Sequence, residues 1–200
     1  MKTDKITVTS WGRKMEDALN QADKVGAYKG LSAKSVLQLR LLTEEMMGMM
    51  RSLTGEKEGT FWIEDENGVY SLHLQVLTRM NSEKRDQLLA VSTSGANESA
   101  KGLMGRLRDF FDRNADEDVA SYASPLLLPS MYEQSTTSTL DWEWSMTRYQ
   151  NALTQLRASD KSAQEAWDEL EKSVVAHVAD DVKVSIRGGQ VEMTIIKKLA

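Results

Sequence analysis

The chain has no cysteine among its 200 residues, which excludes a disulfide framework and any thiolate metal centre. Histidine is nearly absent too: there are two, His73 and His177, and neither has a second histidine or a carboxylate at metal-ligand spacing. No apolar run approaches the length needed to cross a bilayer. The opening Met1–Lys5 leads into too few apolar residues for the core of a secretory signal. A cytoplasmic protein that does not engage membranes is therefore expected. Also missing are a Gly-x-Ser-x-Gly elbow, a P-loop, a His-Glu-x-x-His motif and an EF-hand loop. Net positive charge is lacking as well. The formal charge of -5 and pI near 5.2 argue against nucleic acid as the partner. The one basic cluster, Lys101, Arg106 and Arg108, reads as a solvated helix face.

What is present is an ordinary globular composition, 40% hydrophobic and 28% charged. The length fits one domain, large enough to bury roughly 70% of its unfolded surface. Ile6–Thr9 alternates apolar and polar residues, as a half-buried strand does. Trp11, Met15, Ala18, Leu19, Ala22 and Val25 then recur at helical spacing, with Gly26 and Gly30 bracketing the helix end. Ser32 and Ser35 are candidate N-caps for a second helix striped by Leu39, Leu42, Met46, Met49, Met50 and Leu53 and closed by Gly55. The methionines Met46, Met47, Met49 and Met50 either pack in the core or form an adaptable binding surface.

Phe61-Trp62-Ile63, the turn pair Asn67-Gly68, and the alternation of Tyr70, Leu72, Leu74 and Val76 with Ser71, His73 and Gln75 predict a hairpin. The polar stretch 78–101, with Ser92–Asn97 at its centre, reads as a loop or lid. A helix carrying Leu103, Leu107, Phe110 and Phe111 follows Gly102. Residues 114 to 141 form an irregular excursion with an apolar patch at Leu126–Leu128 between two prolines. Trp142, Met146, Tyr149, Leu153 and Leu156 are spaced for one helix face. Ser162 and Glu165 resemble a capping box for a helix bearing Ala163, Trp167, Leu170, Val174 and Val178. Trp144 lies off its helix stripe, so it marks either a partner site or a surface covered by the excursion. Val182, Val184 and Ile186, then Gly188-Gly189, then Val191, Met193 and Ile195 predict a second hairpin. No internal repeat is visible. The expected fold is a single α+β domain over 1–200. It is a two-layer sandwich with a mixed, mostly antiparallel sheet of five short strands and helices on one face.

Leu39-Arg40-Leu41-Leu42-Thr43-Glu44-Glu45-Met46-Met47-Gly48-Met49 resembles the N-box helix of the GHKL superfamily, the ATP-binding fold of histidine kinases, Hsp90 and gyrase B. Gly102-Leu103-Met104-Gly105-Arg106-Leu107 is similar to that family's glycine turn behind the phosphates. The likeness is nearest to the anti-sigma-factor kinases, over residues 6 to 111 together with the final hairpin. It implies a histidine-kinase-like ATPase fold, with Glu44 or Glu45 as the general base and ATP or ADP as cofactor. Gly102 and Gly105 would present backbone N–H groups to phosphate. The family's Mg²⁺-binding asparagine falls on Gly48 or Met49, and neither side chain offers oxygen to a hard cation. Its adenine-reading Asp-x-Gly-x-Gly loop falls on Thr78-Arg79-Met80-Asn81-Ser82, leaving Thr78 and Asn81 as substitutes.

The expected function is thus a degenerate GHKL-fold regulatory module with weak or no ATPase activity, binding a protein partner (a sigma factor, by family analogy) or itself. Two alternatives stand beside it. One is an active ATP-binding or anti-sigma-type kinase with substituted ligands. The other is a structural, self-associating α+β protein unrelated to the family, in which Glu44 and Glu45 are only charges on a helix flank.

Overall fold

The computed structural model describes residues 1–54, 58–77, 142–187 and 190–199. Among these residues six strands form one sheet in the order β1-β2-β3-β6-β5-β4. They are β1 (Ile6–Thr9), β2 (Glu58–Glu66), β3 (Val69–Leu77), β4 (Trp142–Ser145), β5 (Asp181–Arg187) and β6 (Gln190–Lys198). Five helices accompany them among the described residues: α1 (Arg13–Lys29), α2 (Ala33–Thr54), α3 (Met146–Leu156), α4 (Lys161–Leu170) and α5 (Val174–Val178). The α+β, two-layer expectation holds at this level. All the described pairings are antiparallel, so the parallel component of a mixed sheet has no counterpart among them.

Both predicted hairpins are present. Asn67 and Gly68 take φ of 56° and 84°, the left-handed pair that a two-residue turn matched to strand twist requires. Phe61, Ile63, Leu72, Leu74, Val182, Val184, Met193 and Ile195 all point to one face and are buried there. Against them lies the stripe of α2, with Leu39, Leu42, Met46, Met47, Met49 and Met50 inside a single core. The methionines pack rather than display themselves. The approach is close: a side chain at Gly59 would meet Met50 Sδ and Leu74 Cδ1, each at 3.0 Å.

Several boundaries differ from expectation. Helix α1 begins at Arg13 and leaves Trp11 exposed. Gly30 is its left-handed cap, whereas Gly26 lies inside the helix, where an added Cβ would stand 2.6 Å from Val36 Cγ2. That glycine is a packing contact between α1 and α2, not a stop. Ser32 Oγ accepts from the Ser35 backbone N–H at 3.2 Å, so Ser32 caps α2, and Ser35 is buried in its first turn. Ser162 lies within the first turn of α4 rather than ahead of it, and Val174 and Val178 belong to the separate α5, capped by Ser173.

The largest correction is at Trp142–Trp144. These residues are not helical; they open β4, a strand beyond the five expected, which pairs with β5 from Trp142↔Ile186 to Ser145↔Lys183. Trp144 is buried in the core with its ring 5.9 Å from that of Tyr149, which removes it as an exposed partner site. Strand and helix abut at Ser145, so four-residue spacing ran through a boundary it could not reveal. Asp181 fixes that corner: its carboxylate accepts from the Thr147 backbone N–H at 3.0 Å and the Ser145 hydroxyl at 3.2 Å. An acidic group there also complements the helix N-terminus.

The sheet also contains a repeat that the sequence hides. Each half reads strand, helices, hairpin: β1-α1-α2-β2-β3, then β4-α3-α4-α5-β5-β6. The last strands of the two halves pair antiparallel from Val69↔Lys198 to Leu77↔Gln190, as a twofold axis normal to the sheet requires. The two hairpins share one register, closing at Glu66↔Val69 and Arg187↔Gln190. His73 and Thr194, the central residues of β3 and β6, face each other on this axis. Between the aligned segments 58–77 and 179–198 the sole identity is a glycine, Gly68 against Gly189. Burial pattern, not residue identity, carries the duplication.

Candidate functional site

A two-layer sandwich leaves the second face of its sheet without a helix among the described residues. Period-two alternation places Trp62, His73, Thr194 and Lys183 in one row across that face, with Gln75, Glu192 and Ser185 in the next. The Trp62 and His73 rings stack with centroids 4.8 Å apart and planes within 2°. On the other side of the indole sit Lys5 Nζ, 4.0 Å from its centroid, and Lys2 Nζ, 5.6 Å away. An ammonium held over an indole face gains from the ring quadrupole. Trp62 is therefore only 4% exposed although it lies on the face where the described residues place no helix.

The polar atoms around the stack are tightly organised. Trp62 Nε1 donates to Glu64 Oε1 at 2.9 Å, and Lys2 pairs with the same oxygen at 2.8 Å. Lys2, then the indole N–H, hold the Glu64 carboxyl below the usual carboxylate range. His73 Nδ1 lies 3.3 Å from Glu192 Oε1 and 3.2 Å from Thr194 Oγ1. A carboxylate can only accept, so the Glu192 contact is a hydrogen bond only in the tautomer with the proton on Nδ1, whereas the Thr194 hydroxyl can pair with Nδ1 in either. Nε2 is enclosed without a hydrogen-bond partner among the described residues, 4.0 Å from Glu64 Oε2. The constellation is an aromatic pair already covered on both sides, with lysines and glutamates around it that can make charge-assisted hydrogen bonds.

A second concave feature lies at the turn of the first hairpin. A cleft of about 590 Å³ is lined by Lys29, Leu31, Asp65, Tyr70 and Leu199, among others. Asp65 is 5% exposed and pairs with Lys29 Nζ at 2.5 Å, while accepting from the Gly68 N–H at 3.0 Å. The Lys29 bond, helped by Gly68, lowers the Asp65 carboxyl against the opposing effect of burial, and the same bond raises Lys29. Burial, with the Asp65 charge, raises the Tyr70 phenol. Every charge named here is already matched, so the cleft's chemistry is that of a fastened turn.

The residues singled out from the sequence fall elsewhere. Glu44 is exposed and Glu45 half-buried on α2; burial, then the Glu44 charge, raises the Glu45 carboxyl. Of the two positions that would hold Mg²⁺, Met49 is buried in the core and Gly48 is exposed. Thr78, Asn81, Gly102 and Gly105 lie outside the described residues, as do the Ser92–Asn97 loop, the helix at Leu103–Phe111 and the Leu126–Leu128 patch. Among the described residues no group of three or more His, Asp and Glu side chains could hold a metal ion. No described helix is long and apolar enough to cross a membrane. His177 is exposed on α5, its Nδ1 3.0 Å from the Ser173 carbonyl oxygen.

The Trp62 cluster was not singled out beforehand, although its signal was present. In Phe61-Trp62-Ile63 the alternation that buries the outer two residues must turn the tryptophan to the opposite face. No family model, no curated protein and no solved structure matches the chain.

Proposed function

We propose that this chain is a cytoplasmic recognition module that binds a carboxylate-bearing protein through the helix-free face of its sheet, centred on Trp62 and His73. The observation that carries this reading is the Trp62–His73 stack, bracketed by Lys2 and Lys5 on a face where the described residues place no helix. Lys2, Lys5 and Lys183 stand on this face of a chain whose net charge is -5. Beside the stack these lysines stand with Glu64 and Glu192, and the remaining local excess of positive charge would favour a partner with exposed Asp and Glu. Neutral hydrogen-bonding groups, Gln75, Thr194 and Ser185, fill the remaining positions, as at the rim of a protein interface.

The degenerate GHKL-type regulator expected from the N-box likeness is the family form of this proposal. It would leave ATPase activity weak or absent, because phosphoryl transfer depends on positioning and on neutralising charge with Mg²⁺. A second reading, an ATP- or ADP-binding protein using Glu45 as base, is favoured by one observation: Glu45 is half-buried and its carboxyl is raised.

The test compares two variants in partner capture. Gln75→Glu with Lys183→Glu inverts the charge of the open face; Glu16→Lys alters the exposed side of α1. The proposal expects capture to fall at least tenfold for the first and to hold for the second. Equal capture by both would refute the assignment of the face.

A further inference from the structure

The duplicated architecture has a consequence for how the molecule is held together. β3 and β6 are the inner edges of two equivalent half-sheets, and they meet along nine paired positions from Val69↔Lys198 to Leu77↔Gln190. Each half brings its own hairpin, closed in the same register, and its own helices. Across the seam the halves share the ladder of backbone hydrogen bonds and bury Leu72, Leu74, Met193 and Ile195 in one core. Helix α2 of the first half also rests on β6 and α5 of the second. In sequence the halves are joined through residues 78–141, which lie outside the described residues.

We infer that the β3–β6 seam is a self-sufficient pairing interface, and that the partner it fits is the complementary half of this chain, from the same copy or from a second one. Backbone pairing in a fixed register, with alternate side chains entering a shared core, is the physics by which a strand from another chain is accepted at a sheet edge. Here both edges are supplied by one polypeptide. The axis through His73 and Thr194 makes the seam the position at which two copies would exchange halves, the low-cost route to a swapped dimer. The inference is independent of what the open face binds.

The test uses the whole chain carrying a site-specific protease site inserted after Gly95, cut while folded. A second form with the site after Ser135 serves if the first insertion lowers the melting temperature of the uncut chain. The inference expects the cut halves to elute as a one-to-one complex. Their melting temperature should rise with protein concentration, as mass action requires. They should also trade partners with a cut preparation whose first half is isotopically heavy. Halves that separate on the column at micromolar concentration, or that precipitate on cutting in both forms, would overturn it.

Discussion

The first half of the sheet (β1, β2 and β3) and the second (β4, β5 and β6) are built to one plan and finished differently. Toward the helices they match: Phe61, Ile63 and Leu72 occupy the places taken by Val182, Val184 and Met193, and all are buried. Toward the open face they diverge. Trp62 and His73 stand where the second half has Lys183 and Thr194. The turns diverge as well, since the first is fastened by Lys29–Asp65 and the position matching Asp65 is Ile186. A shared core with unlike surfaces means that the requirement to fold constrains both halves equally. The chemistry available for recognition is concentrated in one of them.

That comparison can be broken most forcefully in the core. Leu72→Ala and Met193→Ala remove equivalent buried side chains, and each should cost about 2–5 kcal/mol, read as a drop in urea midpoint at unchanged slope. Costs that differ several-fold would show that the halves are not equivalent in packing. The turns should separate them next. Asp65→Ala leaves Lys29 and the Gly68 N–H without their acceptor and should cost about 1–3 kcal/mol at neutral pH.

The pH dependence follows from the direction of the shift. Because the folded Asp65 carboxyl is lowered, its contribution is present above the unfolded carboxylate pKa and is lost as pH falls through the lower, folded one. The gap between parent and Asp65→Asn in denaturation midpoint should therefore close in acid, and a gap that stays constant would contradict the assignment.

On the open face, Trp62→Phe keeps a ring against His73 but removes the N–H bond to Glu64, with an expected cost of about 1 kcal/mol. The smallest effect is expected at Glu45, on the flank of α2. Its raised carboxyl means that ionisation opposes folding, so whatever stability this group adds is present in acid and lost as pH rises through the folded pKa. Glu45→Gln should thus be neutral or slightly stabilising at pH 7, within about 1 kcal/mol. A larger loss would give Glu45 a role that its position does not explain.

Much of this architecture could be read from the chain. The hairpin at Asn67-Gly68 announced itself through turn chemistry, and the stripe from Leu39 to Met50 announced a helix through its period. β4 was missed because Trp142, Met146 and Tyr149 keep helical spacing across a strand–helix junction that only pairing with β5 defines. The duplication was illegible because β-sheet register depends on which positions are buried, and Phe61 and Val182 satisfy that equally well. For the site, alternation placed His73 on the polar face, but its stacking on Trp62 depends on cross-strand neighbours that no single strand specifies. Lys29 and Asp65 lie far apart in sequence, and only the packing of α1 over the hairpin brings them together.

The central proposal is that this chain works by recognition, with nucleotide chemistry weak or absent. The most direct test is a thermal-shift titration with ATP and with ADP, each with and without Mg²⁺. The account predicts no saturable rise in melting temperature at millimolar nucleotide. A saturable rise, abolished by Glu45→Ala, would contradict it and place a working nucleotide site on α2.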